Sequence, residues 1–139
     1  MSLITDLKEV PGKLSAASKY TIANGIVYFA TGILFVAWPG VFQSLFLDSD
    51  FAGHEAALCR VIGLTLAVIG WLYIFGGRSG GRQFVAATVV DRVLFVPIVL
   101  VPLSLAGVFP HVFTVFAILD PSLALGAWLI LVRTPRPSV

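Results

Sequence analysis

Apolar and polar positions alternate along the chain on a coarse scale: four long apolar runs, each separated from the next by a short polar stretch. A helix that crosses a bilayer needs about 20 predominantly apolar residues, and the runs at 20–38, 56–76, 84–106 and 112–132 meet that length. Backbone groups in lipid must find their hydrogen bonds within the segment, so the runs are helices and not strands. The β-branched residues of the third run do not argue otherwise in that solvent. The pattern predicts an all-α fold, an integral membrane bundle of four transmembrane helices. Residues 1–19 form a polar N-terminal arm, 20–133 the single membrane domain and 134–139 a tail.

The connections set the expected orientation. Lys8, Lys13 and Lys19 lie in the arm, Arg78 and Arg82 in "GGRSGGRQ" between the second and third runs, and Arg133 and Arg136 at the tail. The other two connections hold no Lys or Arg; one carries Asp48, Asp50, His54 and Glu55, and the other is "GVFPH". Basic residues favour the cytoplasmic side, so both termini are expected there, in a bacterial cytoplasmic (inner) membrane. The first run follows a polar arm and ends in "VAWPGVFQ" without a cleavage pattern, which reads as a retained span and not a signal peptide. "PGVFQSLFLDSD" is too short to span; Val41, Phe42, Leu45 and Phe46 recur at helical spacing, as in a helix lying on the membrane surface, and a plain interfacial loop fits equally. The arm itself reads as a surface helix or as disordered. Tyr20, Trp38 and Tyr73 fall where interfacial belt residues belong.

Each run carries one face of small or polar residues. Small residues mark helix contacts in lipid, where hydrophobic drive between helices is weak. Gly63, Gly70 and Gly77 recur every seven residues in the second run, continuing from Ala56, with Arg60 and Ala67 on the same face. Asn24, Tyr28 and Thr31 form a polar stripe on the first run, beside Gly25 and Gly32. Thr88, Asp91, Phe95 and Pro102 share a face on the third, and Ala117, Asp120, Ala124 and Ala127 on the fourth. Four such faces can close on a common polar interior.

Charges inside the runs are the candidate chemistry. In "TVVDRVLFVP", Asp91 and Arg92 are neighbours on a helix, so they point about 100° apart and each needs a partner elsewhere. Asp120 lies about 12 Å inside its run, near the midplane, and Arg60 about 6 Å below the nearer surface. An unpaired charge at the bilayer centre costs about 2.5–3.5 kcal/mol on insertion scales. A buried network of Arg60, Asp91, Arg92 and Asp120 is therefore expected, with Glu55 at its mouth and Asn24, Tyr28 and Thr31 as walls. Salt bridges that only fix helix register are the plainer reading of the same residues. Pro97 and Pro121 free the carbonyls of Val93 and Ala117 beside these charges, which makes "ILDPS" the most suggestive motif: acid, kink and hydroxyl together.

Composition sharpens the membrane reading. The 139 residues are 58% hydrophobic and 12% charged, with a mean hydropathy of +0.99; a soluble domain carries about twice that charge. The net charge of +2 sits in the flanking basic residues, which speaks for topology and against nucleic acid. Cys59 is the single cysteine, so no intrachain disulfide forms. His54, Cys59 and His111 are not spaced as a metal site. No phosphate loop, dinucleotide fingerprint or nucleophile–base pair appears, so catalytic residues and cofactors stay unassigned and a non-enzymatic role is favoured.

"EAALCRVIGLTLAVIGWLYIFGGR" resembles the acidic-then-arginine opening and glycine-spaced helix of DoxX-like small four-helix bacterial membrane proteins. The resemblance is diffuse and covers the first three runs. It implies a bundle with Glu55 and Arg60 at its entrance; the family is functionally mixed, with some members linked to quinone-coupled sulfur oxidation. The function expected from the residues is an intramembrane polar site for a membrane lipid, an isoprenoid or a quinone, anchored by Asp120. The alternatives are an accessory or oligomer-forming subunit whose glycine face meets another chain or membrane-protein partner, and a proton or ion pathway through Asp91 and Asp120.

Overall fold

The structure is a computed structural model that describes residues 3–10 and 12–134; Arg136 and the rest of the tail beyond Thr134 lie outside them. A short helix, α1 (Leu3–Lys8), precedes α2 (Ala16–Ala37), the six-residue α3 (Val41–Phe46) and α4 (Glu55–Arg78). Then come α5 (Arg82–Val90), a π-helical turn (Asp91–Phe95) and α6 (Val96–Leu105), which together make one continuous rod, and finally α7 (Pro110–Arg133). Four helical units, Ala16–Ala37, Glu55–Arg78, Arg82–Leu105 and Pro110–Arg133, are long and apolar enough to cross a membrane. The protein is an all-helical membrane bundle. We call the end that holds Ser15, Arg78, Arg82 and Arg133 the terminal end, and the opposite one the α3 end.

Local chemistry sets where the helices begin and stop. Ser15 accepts a hydrogen bond from the Ser18 N–H at 3.1 Å, so α2 starts at Ala16 and not where the apolar run begins. Asp48, from the loop after α3, caps α7 from a distance: its carboxylate accepts from the N–H groups of His111 at 3.1 Å and Val112 at 2.8 Å. It also lies 2.9 Å from the His111 imidazole. An acid at a helix N-terminus satisfies free N–H groups and complements the dipole. At the terminal end Arg82 donates to the Leu131 and Thr134 carbonyls at 2.9 and 2.8 Å, closing the last turn of α7. Arg78 donates to the Lys8 carbonyl at 3.3 Å. Arg78 and Arg82 therefore have structural partners besides any bearing on topology.

The most intimate contact is α2 on α4. A Cβ added at Gly25 would stand 2.8 Å from the Gly70 carbonyl oxygen, and one at Gly63 2.8 Å from that of Gly32. Backbone meets backbone along this seam, and the glycines exist to allow it. Gly77 continues it against Ser18 and Ile22. The glycine repeat of α4 thus lies against α2 of the same chain, so a partner chain would have to use another face.

The third unit departs from the expected register. The Val96 N–H donates to the carbonyl of Asp91, five residues back, instead of four. The cause is next door: Pro97 has no N–H, and its ring would clash with the Val93 carbonyl in a regular helix. A π turn moves that carbonyl aside. It also rotates everything after it. Val85, Thr88 and Arg92 are buried, whereas Phe95 is 59% exposed and α6 buries no residue at all. The expected inward face of Thr88, Asp91, Phe95 and Pro102 therefore fails beyond Asp91, because the π turn breaks the helical period there: Phe95 and Pro102 are exposed.

Candidate polar site inside the bundle

The interior polar site is built from four helical units. Tyr28 comes from the middle of α2, Tyr73 from α4, Asp91 and Arg92 from the π turn, and Asp120 from α7, one residue before Pro121. The Tyr28 hydroxyl donates to Asp120 Oδ1. The Tyr73 hydroxyl donates to Asp91 Oδ2 at 2.9 Å. The two tyrosine rings lie 5.5 Å apart, so the two tyrosine–aspartate pairs stand side by side. Arg92 lies over the Tyr73 ring at 5.5 Å, a cation–π contact, and within electrostatic reach of Tyr28 and Asp120.

Arg92 is the unusual member. It is 0% exposed, and its Nε donates to the Thr88 carbonyl at 3.0 Å. Its Nη1 and Nη2 have no hydrogen-bond partner, and neither has Nδ2 of Asn24, one turn from Tyr28 on the same face of α2. Among the described residues no carboxylate comes within 4.0 Å of the guanidinium. Three buried donor nitrogens at the site thus stand without acceptors.

On one side this polar cluster ends at a cleft of about 180 Å³ between α2, α3, α4 and α7. Its walls are Val27, Leu66, Val115, Phe116, Leu119 and Leu123, roofed by Phe42 and Phe46 of α3; its polar groups are Tyr28, Thr31 and Asp120. Val27 and Leu119 are 55% and 43% exposed, so the cleft opens sideways on the apolar flank of the bundle. A second cavity of about 230 Å³ lies at the α3 end, lined by Phe35, Phe51, Phe109 and Phe113 among others. Phe42 belongs to both and stands between them.

The structure brings together Asn24, Tyr28, Asp91, Arg92 and Asp120, with Thr31 on the cleft wall. It keeps two expected members out. Arg60 is exposed and donates through Nε to the Val36 carbonyl at 3.2 Å. The last carbonyls of a helix lack internal partners, and Arg60 serves one of these at the end of α2 instead of descending to Asp120. Glu55 accepts from the Ala52 N–H at 2.6 Å and borders the cavity at the α3 end. The Ser122 hydroxyl of "ILDPS" bonds back to the Ile118 carbonyl at 2.7 Å and is exposed, so only the acid of that motif joins the site.

Tyr73 was expected at the membrane interface; it is 6% exposed and inside. The signal was present: it lies three residues after Gly70 and four before Gly77, on the glycine face itself. The short α3 also differs from expectation. It is helical, but Gln43 is its buried residue, donating to Asp50 at 3.2 Å, while Leu45 is 66% exposed. The helix covers the cleft with Phe42 and Phe46 and does not present its apolar residues as one face.

Comparison of the chain with protein-family models, with curated proteins and with solved structures finds no match. Function is therefore argued from the site.

Proposed function

We propose that this protein binds a lipid-like or quinone-like molecule in the lateral cleft, with its polar end at the Tyr28–Asp120 pair and its apolar chain against α3 and the flank of the bundle. The observation that carries this reading is the cleft itself: an almost wholly apolar groove, open sideways, ending on a buried acid and phenol. Ligand sites combine an apolar lining with a few convergent polar groups in this way. An ionisable residue inside a membrane domain is a functional candidate by default. The basic residues of the terminal end support a cytoplasmic position for both termini, in a bacterial inner membrane.

The test is mass spectrometry of small molecules that copurify with mildly solubilised wild type and with Asp120→Asn. Asparagine still accepts from Tyr28 and keeps the fold. A lipid or quinone enriched in the wild type and at least tenfold depleted in the folded variant supports the reading. Equal enrichment in both sinks it.

A proton path is the second reading. Ser18, Thr21, Asn24 and Thr88 are buried and lead from the terminal end toward the tyrosine–aspartate pairs. Ala17, Val85 and Leu131 form an apolar cluster at that end. In liposomes this reading demands a proton flux that Asp120→Asn abolishes; flux no greater than in empty liposomes rejects it.

A further inference from the structure

The unpartnered donors say what kind of polar end the cleft accepts. Buried donors are almost always hydrogen-bonded, and buried charges nearly always paired. Here Arg92 keeps two nitrogens without acceptors at 0% exposure, and Asn24 keeps one at 5%. Neither acid serves them: Tyr28 holds one oxygen of Asp120 and Tyr73 one oxygen of Asp91, and among the described residues no carboxylate comes within 4.0 Å of the guanidinium. What these donors lack is an acceptor within reach.

We infer that the ligand ends in an uncharged carbonyl, which takes the Tyr28 hydroxyl and releases Asp120 to Arg92. Tyr28 and Asp120 both line the cleft, whereas Arg92 lies near them without lining it. A carbonyl entering the cleft meets the phenol first. Tyr28 exchanges one acceptor for another, and the freed carboxylate turns to the guanidinium. The guanidinium then has a partner, and the charge-assisted pair of Asp120 and Arg92 replaces an unpaired cation.

Other head groups do less. An ammonium can only donate, to Asp120, which leaves Arg92 without a partner; a hydroxyl can accept from Tyr28 but must then place its own proton, for which Asp120 is the nearest acceptor lining the cleft. A carboxylate would accept from Tyr28, but it would add a negative charge to an interior that holds Asp91 and Asp120 against Arg92 alone. An uncharged carbonyl on an apolar body, as in a quinone or an apolar ketone, satisfies both conditions. This inference rests on the ligand-binding reading above.

Native mass spectrometry of the full chain in mild detergent tests it with three probes of similar chain length: decyl-benzoquinone, decanoate and decylamine. The expected result is that decyl-benzoquinone binds at least tenfold tighter than either of the others. Tyr28→Phe should remove that preference, and Arg92→Met should reduce it at least threefold. Phe46→Ala, on the cleft roof, should weaken all three probes alike. Decylamine or decanoate binding as tightly as the quinone overturns the inference and leaves the ligand-binding reading standing. Failure of all three to bind the wild type rejects both. The wild-type ranking needs no variant, so it decides the matter even where a substitution prevents folding.

Discussion

Gly70→Ile is expected to separate α2 from α4 and to unfold the bundle in mild detergent, or to lower its thermal midpoint more than any other single substitution on that seam. A side chain at Gly70 starts from a Cβ 2.7 Å from the Gly25 carbonyl oxygen and equally close to Phe29 Cα. These neighbours are backbone. They cannot rotate away as the tip of a side chain can, so the helices themselves must move apart. Overpacking typically costs about 1–3 kcal/mol where side chains can adjust, and the absence of any such adjustment puts this case at the top of that range or above. Gly12→Ala is the control, because a Cβ there meets nothing within 4 Å. Circular dichroism melts of both variants make the comparison. A Gly70→Ile protein that melts with the wild type would show that α2 and α4 do not meet backbone to backbone.

Asp120→Ala is expected to destabilise the bundle by about 1–3 kcal/mol, chiefly through the Tyr28 hydroxyl that it leaves unpaired. Two groups lose by it. The Tyr28 hydroxyl loses its acceptor inside the bundle, and a buried polar group left unpaired costs about 1–3 kcal/mol. Arg92 loses a nearby negative charge while remaining buried. Because the first loss is shared, the double variant Tyr28→Phe/Asp120→Ala should be more stable than the sum of the two single effects implies. Groups in direct contact show couplings of about 0.5–3 kcal/mol. Unfolding of the four proteins by denaturant in mixed micelles measures the coupling. Strict additivity would mean that Tyr28 and Asp120 do not act as a pair.

These two predictions concern different layers of the molecule. The glycine seam makes α2 and α4 a single rigid slab. On that slab Tyr28 and Tyr73 stand 5.5 Å apart, each offering a hydroxyl to an acid from the other half of the bundle. The seam thereby positions both donors of the polar site, and loss of the seam should carry the site with it. The reverse does not hold: Asp120→Asn keeps an acceptor for Tyr28 and leaves the seam untouched.

The sequence by itself determined the four spans, their helical nature and most of their inward faces. The reason is that lipid imposes local conditions. Length, apolarity and internal hydrogen bonding are properties of one segment at a time, and small residues repeat with the helical period along that segment. Asn24, Tyr28, Arg92 and Asp120 were legible for the same reason, as polar side chains in runs where lipid tolerates few.

Only the tertiary structure decided who partners whom. Arg60 carries the same charge as Arg92 and lies on the glycine face, yet it serves the Val36 carbonyl, one of those that the end of α2 leaves without an internal partner. Tyr73 looked like an interfacial tyrosine until the seam with α2 drew it inside. The π turn ahead of Pro97 rotated the third unit, so that Arg92 is buried and Phe95 faces outward. The cleft has no sequence signature, since its walls come from four separate helices. Pairing, rotation and cavities depend on how helices sit against one another, and neither hydropathy nor periodicity within a single segment contains that information.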